Sequence, residues 1–166
     1  MSAHSVDADD AIVVGLISDT HGELRPDVHR ALAGVSLILH AGDVCGAEIL
    51  DELNIIAPAY AVYGNCDEPG DPRLTQELVR DIGGVRVHVS HGHELGVPTV
   101  ARLLAAYEAD VIVYGHTHRP LVTREGEKLV VNPGAAGPRR FDIKPSVARL
   151  TIRNGATEVE LVDLAY

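Results

Sequence analysis

The sequence predicts an α/β fold of four layers, α/β/β/α, in which two mixed β-sheets pack face to face between outer helices. Three observations lead there. Buried runs rich in Val, Ile and Leu alternate with helically spaced segments over the first two thirds of the 166 residues. Short apolar runs separated by turn residues fill the last third, as antiparallel strands do. The hydrophobic content of 46% suffices for one substantial core, and a chain this short is expected to form a single domain over residues 11–166.

The elements follow in order. Residues 1–10 are polar and acidic and offer no periodic apolar face, so they read as a disordered acidic tail with His4 in solvent. The β-branched run 11–18 is a buried strand that stops at Asp19-Thr20-His21-Gly22. Residues 26–33 have helical spacing, with Val28 and Leu32 four apart and Pro26 in the first turn, where its missing N–H costs nothing. A second strand, 36–40, runs into Ala41-Gly42-Asp43, and a short helix is expected over 47–53. A third strand, 57–63, ends at Gly64-Asn65-Cys66-Asp67. Alternation of this kind implies parallel strands with right-handed crossovers, which places the three strand ends along one edge.

Residues 68–73 form a turn-rich loop, and 78–82 and 85–89 flank Gly83-Gly84 as hairpin arms, the second ending at Ser90-His91-Gly92-His93. A helix over 97–107 precedes a buried strand, 110–114, that stops at Gly115-His116-Thr117-His118. Strands 121–124, 128–131, 147–152 and 158–162 complete a second, mostly antiparallel sheet.

The formal charge of −10 repels nucleic-acid backbones and anionic lipid, so neither is an expected partner. A phosphate ligand would need local positive charge, which bound cations can supply in an acidic protein. Aromatic residues make up 4% of the chain and Trp is absent, so stacking anchors are scarce. The apolar runs are too short to span a bilayer. Cys45 and Cys66 form no CxxC, and the first residues do not resemble a signal peptide; a reducing cytoplasm fits.

Asp19 and His21 are separated by one residue at a strand end, so alternation would project both to one side, and His116 and His118 share the spacing. Either pair alone arises by chance. The ordered set Asp19-x-His21, Gly42-Asp43, Gly64-Asn65-x-Asp67, His91-Gly92 and Gly115-His116-x-His118 is another matter, because each piece ends an expected strand. With this set the chain resembles the calcineurin-like metallophosphoesterase superfamily, in particular its small bacterial and archaeal phosphodiesterases. Asn132-Pro133-Gly134 also resembles a late loop of these proteins.

The resemblance implies a metallophosphoesterase-like sandwich with two divalent ions per chain. Asp19, His21 and His118 would hold one, Asn65, His91 and His116 the other, and Asp43 would bridge them; Asp43, Asn65 and His91 would stand at the catalytic centre. A donor set of carboxylate, amide oxygen and imidazole without thiolate suits Mn, Ni, Co, Fe or Zn, with manganese the foremost expectation. The expected reaction is hydrolysis of small phosphodiesters by a metal-bridging hydroxide attacking in line.

One residue departs from the wider superfamily. Many members have His after the Asn as a candidate general acid, where this chain has Cys66, as the small phosphodiesterases commonly do. Cys66 reads equally as a small buried hydrophobe. His93 and Arg119 are further substrate-proximal candidates, as are Arg139 and Arg140, while His40 reads as a packed supporting residue and His29 and His88 as surface or sheet positions. Two alternatives stay open: a phosphomonoesterase or nucleotide phosphohydrolase, and a non-catalytic scaffold like the retromer subunit of similar fold, which acts through protein contacts. A homo-oligomer is compatible with all three.

Overall fold

The structure is a computed structural model that describes residues 11–140 and 142–165. The expected tail, residues 1–10 with His4, lies outside them. The first sheet takes strands β1 (Ile12–Ile17), β2 (Leu37–His40), β3 (Ala59–Val62) and β4 (Leu74–Thr75), together with β10 (Ser146–Arg153) and β11 (Ala156–Asp163). Its order is β11-β10-β1-β2-β3-β4. The second takes β5 (Leu78–Ile82), β6 (Val85–Val89), β7 (Val111–Val113), β8 (Leu121–Glu125) and β9 (Lys128–Asn132), in the order β5-β6-β7-β9-β8. Helices α1 (Val28–Ala31) and α2 (Ala47–Ile56) lie outside the first sheet, and α3 (Val100–Ala106) outside the second.

Period-two alternation builds the layers. In β2, Leu39 enters the core between the sheets while Ile38 turns to the helices; in β7, Val111 and Val113 enter that core while Ile112 packs under α3. The inter-sheet core is a mass of branched aliphatics, among them Val14, Leu16, Val87, Val89, Val131 and Leu150. The outer cores use Leu32, Leu50 and Leu53 on one side and Leu103 on the other.

Two mixed sheets are present as expected, but their membership differs. The last hairpin was expected in the second sheet and instead joins the first, β10 pairing antiparallel with β1. The second sheet is correspondingly less antiparallel, since β7 lies parallel to both β6 and β9. Burial decides this. Ala148, Leu150 and Ile152 of β10 face the inter-sheet core while Val147 faces the helices, so β10 is covered on both faces and needs a central position that hairpin periodicity alone does not reveal.

Two helices start later than their spacing predicts, α1 at Val28 and α3 at Val100, while α2 starts at Ala47 as expected and runs on to Ile56. Pro98 disfavours helix at Val97, and Thr99 caps α3 by accepting a hydrogen bond from the Arg102 amide at 3.2 Å. Among the described residues no helix is long and apolar enough to cross a membrane.

Leu150 is fully buried between the sheets. Leu150→Ala is expected to lower unfolding free energy by about 2–5 kcal/mol in urea titration. A loss below about 1 kcal/mol would show that β10 is not a core strand.

Candidate metal centre

The C-terminal ends of β1, β2, β3, β6 and β7 reach one rim, and the turns after β1, β2 and β7 hold non-glycine residues in strained backbone. Asp19, His21, Asp43, His116 and His118 have φ of 53°, 47°, 57°, 71° and 64°, in the left-handed region that costs a non-glycine residue about 1 kcal/mol or more. Strand alternation was expected to aim Asp19 and His21 together; β1 has already ended at Ile17, and these turns do the aiming instead. Backbone bonds hold them. Asp19 N donates to Gly42 O at 3.0 Å, His21 N to Asp43 O at 2.9 Å and Gly22 N to Val44 O at 2.9 Å, lacing the loops after β1 and β2 together.

The donor atoms then converge. Asp19 Oδ1 lies 3.4 Å from His118 Nε2, 3.7 Å from His21 Nε2 and 3.8 Å from His91 Nε2. Asp43 Oδ2 lies 3.2 Å from His91 Nε2 and 3.6 Å from His21 Nε2, between the two groups. The Nε2 atoms of His21 and His118 face each other at 3.2 Å, and Asn65 Oδ1 sits 3.2 Å from His116 Nδ1. The rings of His91 and His116 are 5.2 Å apart, which joins the second group to the first. The seven expected residues therefore border one rim, with the donors of Asp19, His21, Asp43, His91 and His118 in tight groups and Asn65 and His116 paired beside them.

A cation fits this arrangement on grounds internal to it. Asp19 Oδ1 and His91 Nε2 are buried without a hydrogen-bond partner. His91 Nδ1 donates to Ala41 O at 2.8 Å, which leaves the Nε2 lone pair aimed inward. Donors bound to one ion at about 2.0–2.2 Å lie roughly 3–3.7 Å apart, close to the observed separations. Burial alone would raise the Asp43 carboxyl, yet the adjacent His91 and the Cys66 amide hold it well below the ordinary range; burial would lower His91, and Asp43 and Asp19 raise it instead. Positive charge is favoured where those side chains meet.

Supporting contacts fix both carboxylates and the loops that carry the other donors. Asp19 Oδ2 accepts from Ser18 Oγ at 2.7 Å and from the His116 amide at 3.1 Å; Asp43 Oδ1 accepts from the Cys66 amide at 2.8 Å. Asp67 accepts from the amides of Val44, Cys45 and Gly64, tying the loop after β3 to the loop after β2. Asn132 Nδ2 donates to Gly115 O and to Thr117 Oγ1, steadying the turn that carries His116 and His118. Gly64 and Gly115 have no side chain for a steric reason: a Cβ would collide with Asp43 Oδ1 at the first and with Ser18 Oγ at the second.

The other candidates fall into place. His40 is fully buried and packed, as expected. His93 stands 5.3 Å from the His91 ring and 6.3 Å from that of His116, and it lines an open cleft with Tyr63 and Asn65. Cys66 is exposed rather than a buried hydrophobe, because its backbone serves Asp43 while its thiol stays outside. That thiol lies with His21 and Asp43 in a third group of potential donors. Arg119 is exposed, its amide bonded to Thr117 Oγ1. His29 pairs with Glu52 at the surface, and His88 is buried against Glu77 and the Tyr107 ring. Sequence reasoning missed Ser18 and Thr20, whose hydroxyls carry no metal-ligand pattern, and Tyr63, a single aromatic at a strand end.

Comparison with known proteins agrees with this geometry. The calcineurin-like phosphoesterase superfamily domain matches residues 12–155. A probable metallophosphoesterase of Methanothermobacter thermautotrophicus is 34% identical over 160 residues, covering 91% of this chain and 92% of its own. The phosphodiesterase YfcE of Escherichia coli is 32% identical over 145 residues, covering 71% and 76%. Among solved structures, vacuolar protein sorting 29 of Cryptosporidium parvum superposes with a TM-score of 0.78 at 24% identity, covering 94% of this chain and 99% of that one. The same protein from Entamoeba histolytica, complexed with Zn²⁺, gives 0.71 at 27% identity, covering 92% and 99%.

His40 supplies a pH test. Its Nδ1 accepts from the Gly42 amide at 3.1 Å and its Nε2–H donates to Thr20 Oγ1 at 3.0 Å, so the neutral ring is the bonded one. Burial first, only partly opposed by Asp19, lowers its pKa to about 4. A folded pKa below the unfolded 6.5 gives stability that is complete above pH 6.5 and is lost as pH falls toward 4, up to about 3 kcal/mol. In metal-free protein, the stability difference between pH 7 and pH 4.5 should shrink by about 1–3 kcal/mol in His40→Gln, measured by urea titration. An equal pH slope in both proteins would contradict the assignment.

Proposed function

Because the chain belongs to the calcineurin-like phosphoesterase superfamily, we propose that it is a two-metal phosphodiesterase acting on small phosphodiesters. The observation that carries this reading is the position of Asp43 Oδ2 between His21 Nε2 and His91 Nε2, beside the unpartnered Asp19 Oδ1. Asp19, His21 and His118 would hold one divalent ion, Asn65, His91 and His116 the second, and Asp43 both. Manganese is the first choice, with Ni, Co, Fe and Zn as alternatives for this donor set. Two such ions supply positive charge for the phosphoryl oxygens and lower the pKa of a water.

The protein's own contribution is preorganisation. The Cys66 amide fixes Asp43 Oδ1 and leaves Oδ2 for sharing, while Ala41 O sets the tautomer of His91. Asp19 is held by Ser18 and the His116 amide, so one carboxylate links the first and last ligand loops. Cys66 stands at the mouth with its thiol pKa raised, by burial first and then by Asp43. A thiol that stays protonated at neutral pH is a poorer acid than imidazolium, so good leaving groups such as aryl or nucleotide-like esters should be preferred.

The scaffold reading gains weight from the two vacuolar sorting structures. Because one of them was obtained with Zn²⁺, bound metal by itself does not separate a scaffold from a hydrolase; turnover does. The phosphomonoesterase reading is separated by comparing p-nitrophenyl phosphate with bis(p-nitrophenyl) phosphate.

With manganese added after chelation, the protein is expected to hydrolyse bis(p-nitrophenyl) phosphate. Asp43→Asn should lower turnover at least about 100-fold, the scale of losing metal-centred electrostatic stabilisation, with a melting temperature within a few degrees of the parent. Near-normal turnover with two bound ions would remove the bridging role.

A further inference from the structure

The surroundings of the rim are electrically lopsided. On the side of Asn65 and His93 an open cleft of about 600 Å³ runs under the loop after β3, within the roughly 300–1,000 Å³ of small-molecule sites. Tyr63, Pro69 and Leu74 give it apolar walls, Glu68 adds a carboxylate, and no described lysine or arginine lines it. On the His118 side, Arg139, Arg140 and Lys144 share a small depression with that ligand. Arg140 thus stands beside His118 at the edge of the rim.

Tyr63 is the residue that gives the cleft chemical character. Its amide donates to Thr75 O at 2.9 Å, which fixes the chain just before Gly64 and Asn65, and its side chain is 37% exposed. Tyr63 lines the cleft with Asn65 and adjoins Gly64, where the chain passes close to Asp43. The neighbouring carboxylates have other duties. Asp67 is committed to three amides, and Asp71 accepts from Arg73. Glu68 is exposed and sets the sign of the wall.

We infer that the Tyr63 cleft receives one alcohol arm of the substrate, a planar ring-bearing group such as a nucleoside or aryl alcohol that carries no second phosphate. This rests on the phosphodiesterase reading and deepens it by naming the arm and its charge. The ring packs on Tyr63, and the carboxylate of Glu68 together with the missing cation repels a further phosphate on that arm. A preference of this kind excludes nucleoside polyphosphates entering base first.

Calorimetric titration of the manganese-loaded protein tests it, with inorganic phosphate, thymidine 5′-phosphate and thymidine 3′,5′-bisphosphate as probes. Whichever phosphate the metals take, the bisphosphate must send its other phosphate along with the nucleoside. The parent should bind the monophosphate more tightly than the bisphosphate. Tyr63→Ala should weaken the monophosphate about tenfold, as loss of a ring contact does, while leaving inorganic phosphate unchanged, and Tyr63→Phe should restore it. Glu68→Lys should erase or reverse the penalty on the second phosphate. Tighter binding of the bisphosphate by the parent, or monophosphate affinity within twofold of the parent in Tyr63→Ala, overturns the inference. Hydrolysis of bis(p-nitrophenyl) phosphate, run in parallel, keeps the two readings apart. Turnover with a dispensable Tyr63 removes the cleft assignment alone, whereas Tyr63-dependent binding without any turnover removes the hydrolase reading and leaves the cleft.

Discussion

Two buried carboxylates, Asp19 and Asp43, stand among four imidazoles at the rim of the sheets, and the rest of the structure is arranged around the positive charge they require. Their relative exposures are 0% and 2%, so neither can be satisfied by bulk water. One oxygen of each is bonded to the protein, Asp19 Oδ2 by Ser18 and His116 and Asp43 Oδ1 by Cys66. The other oxygen of each is directed at imidazole nitrogens, of which His91 Nε2 presents its lone pair once Nδ1 donates to Ala41 O. Burying anionic and lone-pair acceptors together is unfavourable unless a cation joins them, which is the physical argument for metal at this place.

That constraint accounts for features that otherwise look costly. Left-handed backbone at Asp19, His21, Asp43, His116 and His118 is strain concentrated on the donors themselves. It persists because the framework over-determines it: the loops after β1 and β2 are laced by backbone bonds, and Asp67 and Asn132 clamp the loops after β3 and β7. Behind them the inter-sheet core of Val, Leu and Ile holds the strand ends in register. Strain at the rim persists because the packed strands below it fix both ends of each loop.

Much of the site was legible in the sequence because chemistry-bearing residues fell where apolar runs stopped, and parallel strands put those stops on one edge. Asp19, His21, Asp43, Asn65, His91, His116 and His118 all fall at such stops, and the structure brings them to one rim. Strand alternation does not pair Asp19 with His21, since β1 ends at Ile17 and a left-handed turn replaces it. Local sequence does not announce such turns at Asp or His. The membership of β10 was illegible for a different cause: its burial on both faces is set by partners more than a hundred residues earlier, Val14 and Leu16. Tyr63 escaped notice because its significance lies in a cleft that only the folded loop after β3 creates.

The central claim is that one shared carboxylate organises two cations. Anomalous diffraction from crystals of the manganese-loaded protein at the manganese edge reads this directly. The account predicts two peaks, both within bonding distance of Asp43, one against Asp19, His21 and His118 and the other against Asn65, His91 and His116. A single peak, or ions that leave Asp43 uncoordinated, would contradict it.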